Sequence, residues 1–310
     1  MAFLYALPGA IAEGLIWGLM GIGVYISYKI LDIADLTVDG SICTGACVCA
    51  VLLGSGVPVW ISVIAALLAG ALAGIVTGLL HTALGIPSIL AGILTQLMLY
   101  TVNLCILGGK SLFAINPRAS NLWVHMSDNN ASIAAMLIMV TVVVICLWQF
   151  FYTEIGLTLK STGDNPDMSR AQGVNVKLNK VLGLAIANGI VALAGAMLAQ
   201  YKGSANINDG RGAIVIGLAA IFIGLSVSMK IKPNFVVSLI GVLGGGITYY
   251  IVYNFVILLG LKTDYLKMLS AIIVAIFLAV PYLKAEYFTK HKSLHPHETT
   301  AGGNRHDEEK

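Results

Sequence analysis

The stretch "SICTGACVCAVLLGSGVPVWISVIAALLAGALAGIVTGLLHTALGIPSILAGILTQLMLYTVNLCILGG", residues 41–109, carries no Asp, Glu, Lys or Arg. A bilayer core about 30 Å thick is crossed by roughly 20 apolar residues in a helix, so this run alone has room for about three crossings. Lipid offers no hydrogen bonds, which leaves a helix or a closed barrel as the spanning backbone. The apolar runs are continuous and lack the period-two alternation of barrel strands. The expected fold is therefore all-α, a polytopic helical membrane protein. The rest of the chain agrees. Of its 310 residues 58% are apolar and 11% charged, against about 25% charged in an ordinary soluble domain. Mean hydropathy is +0.88. A net charge of +3, placed in loops and tail, gives no footing for nucleic acid.

Outward from that run, apolar stretches between polar punctuation give about nine membrane segments: 8–28, 36–53, 58–80, 86–107, 131–152, 181–201, 213–229, 235–259 and 266–283. Residues 1–283 thus form one membrane domain, and 284–310 a polar tail. The N-terminal run has no basic n-region and is read as the first membrane helix rather than a cleaved signal. Segments two and seven, "ADLTVDGSICTGA" and "NINDGRGAIVIGLAA" at their starts, are short and begin polar, as broken or re-entrant helices do. Each opens on Asp-Gly, at Asp39-Gly40 and Asp209-Gly210, an offset of 170 residues (209 minus 39). With five crossings between them the two units run in opposite directions, the pattern of inverted repeats whose interrupted helices mark a transport pathway. Chance likeness between Gly-rich helices is the alternative. Small-residue patterns such as "LLAGALAGIVTG" and "GVLGGG" suit close helix packing.

Positive residues set orientation. With loop 154–180 inside, the cytoplasmic face receives Lys29, Lys160, Arg170, Lys177, Lys180, Lys230, Lys232, Lys284, Lys290 and Lys292, ten in all. The outer face receives six: Lys110, Arg118, Lys202, Arg211, Lys262 and Lys267. The bias puts the N-terminus out and the tail in.

That loop holds a polar cassette, "STGDNPDMSRAQGVNV", residues 161–176. Asn165 or Asp164 is a good helix N-cap. Pro166 suits the first helical position, and Asp167 in the first turn complements the helix dipole. Arg170 follows three residues later, and Gly173 can take the left-handed conformation that closes a helix. The spacing predicts a two-turn helix over 166–172. A helix this short is marginal alone in water, so it is expected to lie against something: the membrane surface, or a cytoplasmic partner.

The longer stretch "GLTLKSTGDNPDMSRAQGVNV" resembles the cytoplasmic coupling loop of permease subunits of ABC importers, in the branched-chain amino acid and ribose permease superfamily. Gly163, Asn165, Ser169, Arg170, Gly173 and Val174 occupy the marked positions of that pattern. "IADLTVDGSICTGA", "GIPSILAGILTQLMLYTVNLCILGG" and "NGIVALAGAMLAQYKGSANINDGRGAIVIGLAAIFIG" resemble further parts of the family, over most of residues 14–283. The resemblance implies a multi-pass permease of the bacterial inner membrane. It also implies a dimeric pore, of two copies or of this copy and a homologue. Cytoplasmic ATPase subunits would dock on Gly163, Asp164, Asn165, Pro166, Asp167, Ser169, Arg170 and Gly173. An extracytoplasmic substrate-binding protein would deliver the solute, an amino acid, with aromatic ones suggested by subgroup likeness and sugar or nucleoside as the alternative. ATP and Mg would be bound by the ATPase, none by this chain. Residues 108–111, "GGKS", imitate a phosphate loop, but the Gly expected five residues earlier is Leu104, and the motif is rejected.

Polar residues inside membrane segments are costly and mark candidate pathways. Asp39, Thr44, Gln96, Asn103, Asn188, Gln200, Asn206 and Asp209 are the candidates here. Asp39 and Asp209 are equally readable as caps of short helices. Gln96 and Asn103, seven apart, share one face of the fourth segment, where they would contact solute or bond between helices. Cys43, Cys47, Cys49, Cys105 and Cys146 lie in apolar runs without accompanying His or carboxylate and are read as small buried hydrophobes; no metal site is expected. His291, His295 and His297 stand in a tail read as solvated and disordered, with Lys284 and Lys290 near anionic lipid headgroups. An ATP-independent channel or secondary transporter would share the repeat but has no use for the cassette. An intramembrane enzyme would need a nucleophile–base pair or metal cluster.

Overall fold

The computed structural model describes residues 2–115, 122–126, 128–228 and 234–258, with single positions at 268, 271, 272, 274, 275 and 279. The ninth expected segment lies largely outside the described residues, and the tail with its histidines wholly so.

Helix α1 (Ala2–Tyr25) runs into a π-helical turn, Ile26–Ile30. Then come α2 (Val38–Gly54), α3 (Val59–Thr82), α4 (Ser88–Ile106), α5 (Asn129–Tyr152), α6 (Glu154–Asp164) and α7 (Pro166–Ala171). The chain continues through α8 (Val176–Lys202), α9 (Ala213–Ser228) and α10 (Phe235–Leu258). A small antiparallel pair, β1 (Leu112–Ala114) with β2 (Ser204–Asn206), sets Phe113 opposite Ala205 at the end of the bundle away from α7. Caps explain where helices begin. Asp128 accepts the Ala131 N–H to open α5. Asn175 accepts the Leu178 N–H at 3.1 Å, so α8 starts five residues before its apolar run, at 176 rather than 181. Gly203, at φ 66°, closes it.

Among the described residues six helices are long and apolar enough to cross a membrane, and α2 and α9 are shorter apolar helices. Helix α2 has 17 residues, at the short end of the roughly 17–25 that cross a bilayer, and α9 is described over 16, up to Ser228. Segment two, expected from residue 36, is corrected at its start: α2 begins at Val38.

Helices α1 and α8 are central, with 83% of each apolar window buried, against 22% for α5. Among the broadest contacts in the bundle are two antiparallel ones, α8 on α3 and α1 on α10. Both depend on missing side chains. A Cβ at Gly78 would sit 2.8 Å from the Val181 Cα, and one at Gly74 would enter the Leu184 carbonyl. On the other pair, a Cβ at Gly14 would sit 2.7 Å from the Ile247 Cα. Relative to Asp39-Gly40 and Asp209-Gly210, α1 matches α8 and α3 matches α10. The first helix of each unit therefore packs on the third helix of the other, the exchange expected of two inverted units.

The two short helices occupy opposite halves of the bundle. Going along α2, Ser41 bonds Asn188 of α8 and Cys49 receives a bond from Gln200. Helix α2 therefore climbs with α8 toward the β-pair. Helix α9 descends toward the cassette end, where the Phe222 ring lies 6.1 Å from that of Tyr28. Both begin at about the same depth, where the chain between β2 and α9 turns back into the bundle.

Candidate functional site

The meeting point of the two short helices is built by Asp39. It stands in the first turn of α2, yet its carboxylate caps α9. The Gly212 N–H donates to Oδ2 and the Ile214 N–H to Oδ1, each at 2.9 Å. These are among the N-terminal donors that a helix leaves without partners, and a carboxylate there also complements the helix dipole. Cys43 completes the joint: its Sγ donates to the Ile207 carbonyl at 3.1 Å and accepts the Gly210 N–H at 3.0 Å. A Cβ at Gly210 would enter the Asp39 carbonyl, so the two Asp-Gly elements touch directly. Asp209 plays a different part. Its Oδ2 accepts the Asn206 N–H at 3.2 Å and its Oδ1 pairs with Lys202 at 3.2 Å. It steadies the turn before α9 and caps no helix, which corrects the parallel roles expected of the two aspartates.

Beside this joint lies a cleft of about 470 Å³ between α2, α4 and residues 207–211. Asp39, Gln96 and Asn103 line it together, with Tyr100 and Arg211. The seven-residue spacing on α4 thus does bring Gln96 and Asn103 to one place. Asn103 is 1% exposed and its Oδ1 has no hydrogen-bond partner among the described residues. A buried acceptor left unpaired costs about 1–3 kcal/mol, and Asn103 carries that cost at the wall of a cleft. Arg211 is exposed and forms no ion pair among the described residues. The volume is in the range of small-molecule sites, about 300–1,000 Å³, and the cleft offers a cation, an amide and a phenol to a polar solute.

The other candidates lie elsewhere. Asn188, fully buried, donates to Asp35 Oδ2 at 2.6 Å and accepts from Ser41 at 2.6 Å. It ties residues 32–37 and α2 to α8. Thr44 bonds back to the Gly40 carbonyl within α2. Gln200 accepts the Trp123 N–H at 3.2 Å and donates to Cys49. Asn206 sits in β2, where its Oδ1 receives the Asn208 N–H. Arg211 and Tyr100 were missed by the sequence reading, and so was Asp35, 2% exposed. Arg211 carried a signal: it is a lone cation beside an Asp-Gly in a short membrane segment.

At the opposite end, the cassette forms as its caps dictate. Asn165 rather than Asp164 is the N-cap, its Oδ1 accepting the Met168 N–H at 3.0 Å; Asp164 ends α6. Helix α7 stops at Ala171, Gln172 is its C-cap, and Gly173 has φ 83°. Arg170 and Asp167 pair at 3.4 Å with side chains 68% and 92% exposed, which contributes little. Ser169 is buried and its hydroxyl donates to Ser161 at 3.2 Å. A Cβ at Gly163 would enter the Ile30 carbonyl, so α6 is pressed on the π-helical end of α1. Met168, at 59% exposure, faces outward. The arrangement is a small, rigid, capped projection seated on the bundle's central helix.

A family model described as the permease component of the branched-chain amino acid transport system matches residues 8–280. The chain belongs to that family. Among its relatives is the tyrosine transport system permease protein of Clostridioides difficile, 36% identical over 86% of this chain and 88% of that protein. An uncharacterized protein of Rickettsia prowazekii is 32% identical over 89% of this chain and 97% of its own length. The autoinducer 2 import system permease protein of Salmonella paratyphi B is 26% identical over 60% of this chain and 55% of its own. No solved structure matches the chain. The family and the apolar helices make this permease a multi-pass membrane protein.

Proposed function

We propose that this permease is the membrane subunit of an ATP-driven importer. Two permease subunits, identical in the simplest arrangement, enclose the path. ATPase subunits dock on α6–α7 at the cytoplasmic face, and an extracytoplasmic binding protein presents an amino acid at the other. The observation that carries the reading is α7. A channel or secondary transporter gives no reason for a capped helix with an outward Met168, held without slack on the end of a core helix through Gly163. An ATPase that binds two states of the permease with different affinity shifts their populations by that difference, and a rigid projection on α1 is a place where the difference can act. ATP and Mg2+ belong to the ATPase in this reading, and the permease itself performs no hydrolysis.

For cargo, the tyrosine permease supports an amino acid. It is more similar over more of the chain than the autoinducer 2 permease, which would favour a sugar-like solute. The Asp39–Gln96–Asn103–Arg211 cleft supplies a polar wall for the passage. The test is co-expression with a candidate ATPase and binding protein from the same genome. L-Tyrosine uptake should require all three components, and Arg170→Glu should remove the ATPase from the purified complex. Uptake without the ATPase, or a complex indifferent to Arg170→Glu, overturns the proposal.

A further inference from the structure

On the other side of residues 208–212 from the Asp39 cleft lies a second cavity, of about 400 Å³, between α1, α9 and α10. One wall is aromatic. Trp17 and Tyr250 stack with centroids 5.9 Å apart and planes at 20°. Tyr249 and Tyr253 stack at 6.3 Å and 18°, and Tyr250 stands 5.6 Å from Tyr253. The other wall is charged in both senses: Lys202, Asp209 and Arg211 line it. Glu13 on α1 is near enough to act electrostatically on Lys202, Tyr250 and Tyr253.

We infer that this cavity is a subsite for a zwitterionic aromatic α-amino acid. Its ring lies against Trp17, Tyr250 and Tyr253, its carboxylate on Arg211, and its ammonium on Asp209. The lining selects among solutes. A neutral sugar leaves the charges unanswered. A simple cation meets Lys202 and Arg211 and is repelled. An aliphatic amino acid satisfies the charges but forgoes the offset and edge contacts that an aromatic wall offers another ring. Asp209 retains acceptor capacity, because an ionised carboxylate has about four lone-pair sites and bonds here to Lys202 and the Asn206 N–H. Arg211 presents a planar fork suited to a carboxylate, and among the described residues no ion pair occupies it. Arg211 also lines the first cleft, so one side chain can hold the carboxylate while the ring changes sides.

The inference rests on the reading of the chain as an amino-acid permease, and the test separates the two. The purified full-length permease in lipid nanodiscs is photolabelled with 4-azido-L-phenylalanine, and the adduct is mapped by peptide mass spectrometry. Labelling should fall on 249–253 or on Trp17 and be suppressed by L-tyrosine but not by L-lysine or D-ribose. Arg211→Ala, at an exposed position with little effect on folding, should lower it about tenfold, the loss of one strong carboxylate contact. Tyr253→Leu, half-buried, should lower it, while Tyr253→Phe, which keeps the ring and its stacking on Tyr249, should retain it. Adducts on the outward faces of α3–α5, or labelling indifferent to L-tyrosine or to Arg211→Ala, overturn the subsite. These readouts need no ATPase and no uptake. Labelling as expected alongside absent tyrosine import therefore supports the subsite while defeating the importer reading, and import without labelling does the reverse.

Discussion

Replacing Asp39 by Ala should unfasten the start of α9 without unfolding the bundle. The carboxylate accepts the Gly212 and Ile214 N–H groups at 2.9 Å each. Loss of an N-cap costs typically about 1 and up to about 2 kcal/mol. Stranding a buried donor costs about 1–3 kcal/mol. With some rescue by water at the cleft, the joint should lose about 2–4 kcal/mol, which at 1.4 kcal/mol per decade is about 30- to 700-fold in the local opening equilibrium. Hydrogen exchange on the detergent-solubilised chain measures this directly, in peptides covering 207–216. Asp39→Asn keeps one oxygen acceptor and should show about half the effect in free energy. Asp209→Ala is the control: it releases Asn206 and Lys202, so exchange should quicken near 206–209 and not at Ile214. Unchanged exchange at Ile214 in Asp39→Ala refutes the cap. Equal acceleration in α3 refutes it too, because the loss would then be global.

Three further outcomes are expected. Gly163→Val should drive a side chain into the Ile30 carbonyl and abolish ATPase co-purification. Asn165→Ala, which costs α7 about 1 kcal/mol, should only weaken that association in the same pull-down. Asn188→Leu takes one hydrogen-bond donor from the buried Asp35 carboxylate, which keeps the bond from the Thr37 N–H, a loss of about 1.5–3 kcal/mol, the range for a hydrogen bond to a charged group. Thermal melting should show the double variant Asn188→Leu/Asp35→Leu recovering much of that loss. Gly74→Leu should separate α3 from α8 and prevent accumulation of folded protein. Leu72→Ala, at a side chain 63% exposed, should stay within about 0.5 kcal/mol of the parent in melting.

The membrane class and the helical segments through 258 were readable from the chain, because each depends on residues close in sequence. Absence of charge over 41–109 needs no partner to be meaningful. The same holds for the cassette, whose Asn165, Pro166 and Gly173 act on a backbone within three residues of themselves. Errors came where a local signal competed with another. The apolar run of segment six hid the Asn175 cap, since its first turn, "VKLNK", is polar. Segment two was expected to start at 36, but Asp35 accepts from the Thr37 N–H and Asn188, and the helix begins two residues later, at Val38.

The pathway candidates were harder to sort, and the reason is the energetics of a polar group in lipid. Each must find a partner or carry the cost of lacking one, so a bare inventory of membrane-embedded Asn, Gln and Asp mixes the settled with the unsettled. Asn188 is settled by Asp35, 153 residues away, and Gln200 by Cys49, 151 away. Asp39 is settled by amides 173 and 175 residues on. No spacing rule reaches that far, so nothing in the sequence separates these from Asn103, whose oxygen stays unpaired at the cleft wall. What separates them is unused bonding capacity facing open volume. By that measure, among the described residues of the cleft lining, Asn103 and Arg211 keep bonding capacity. Asn188 and Asp39 have spent theirs on Asp35, Ser41 and the first amides of α9, which fixes α2 against α8 and α9.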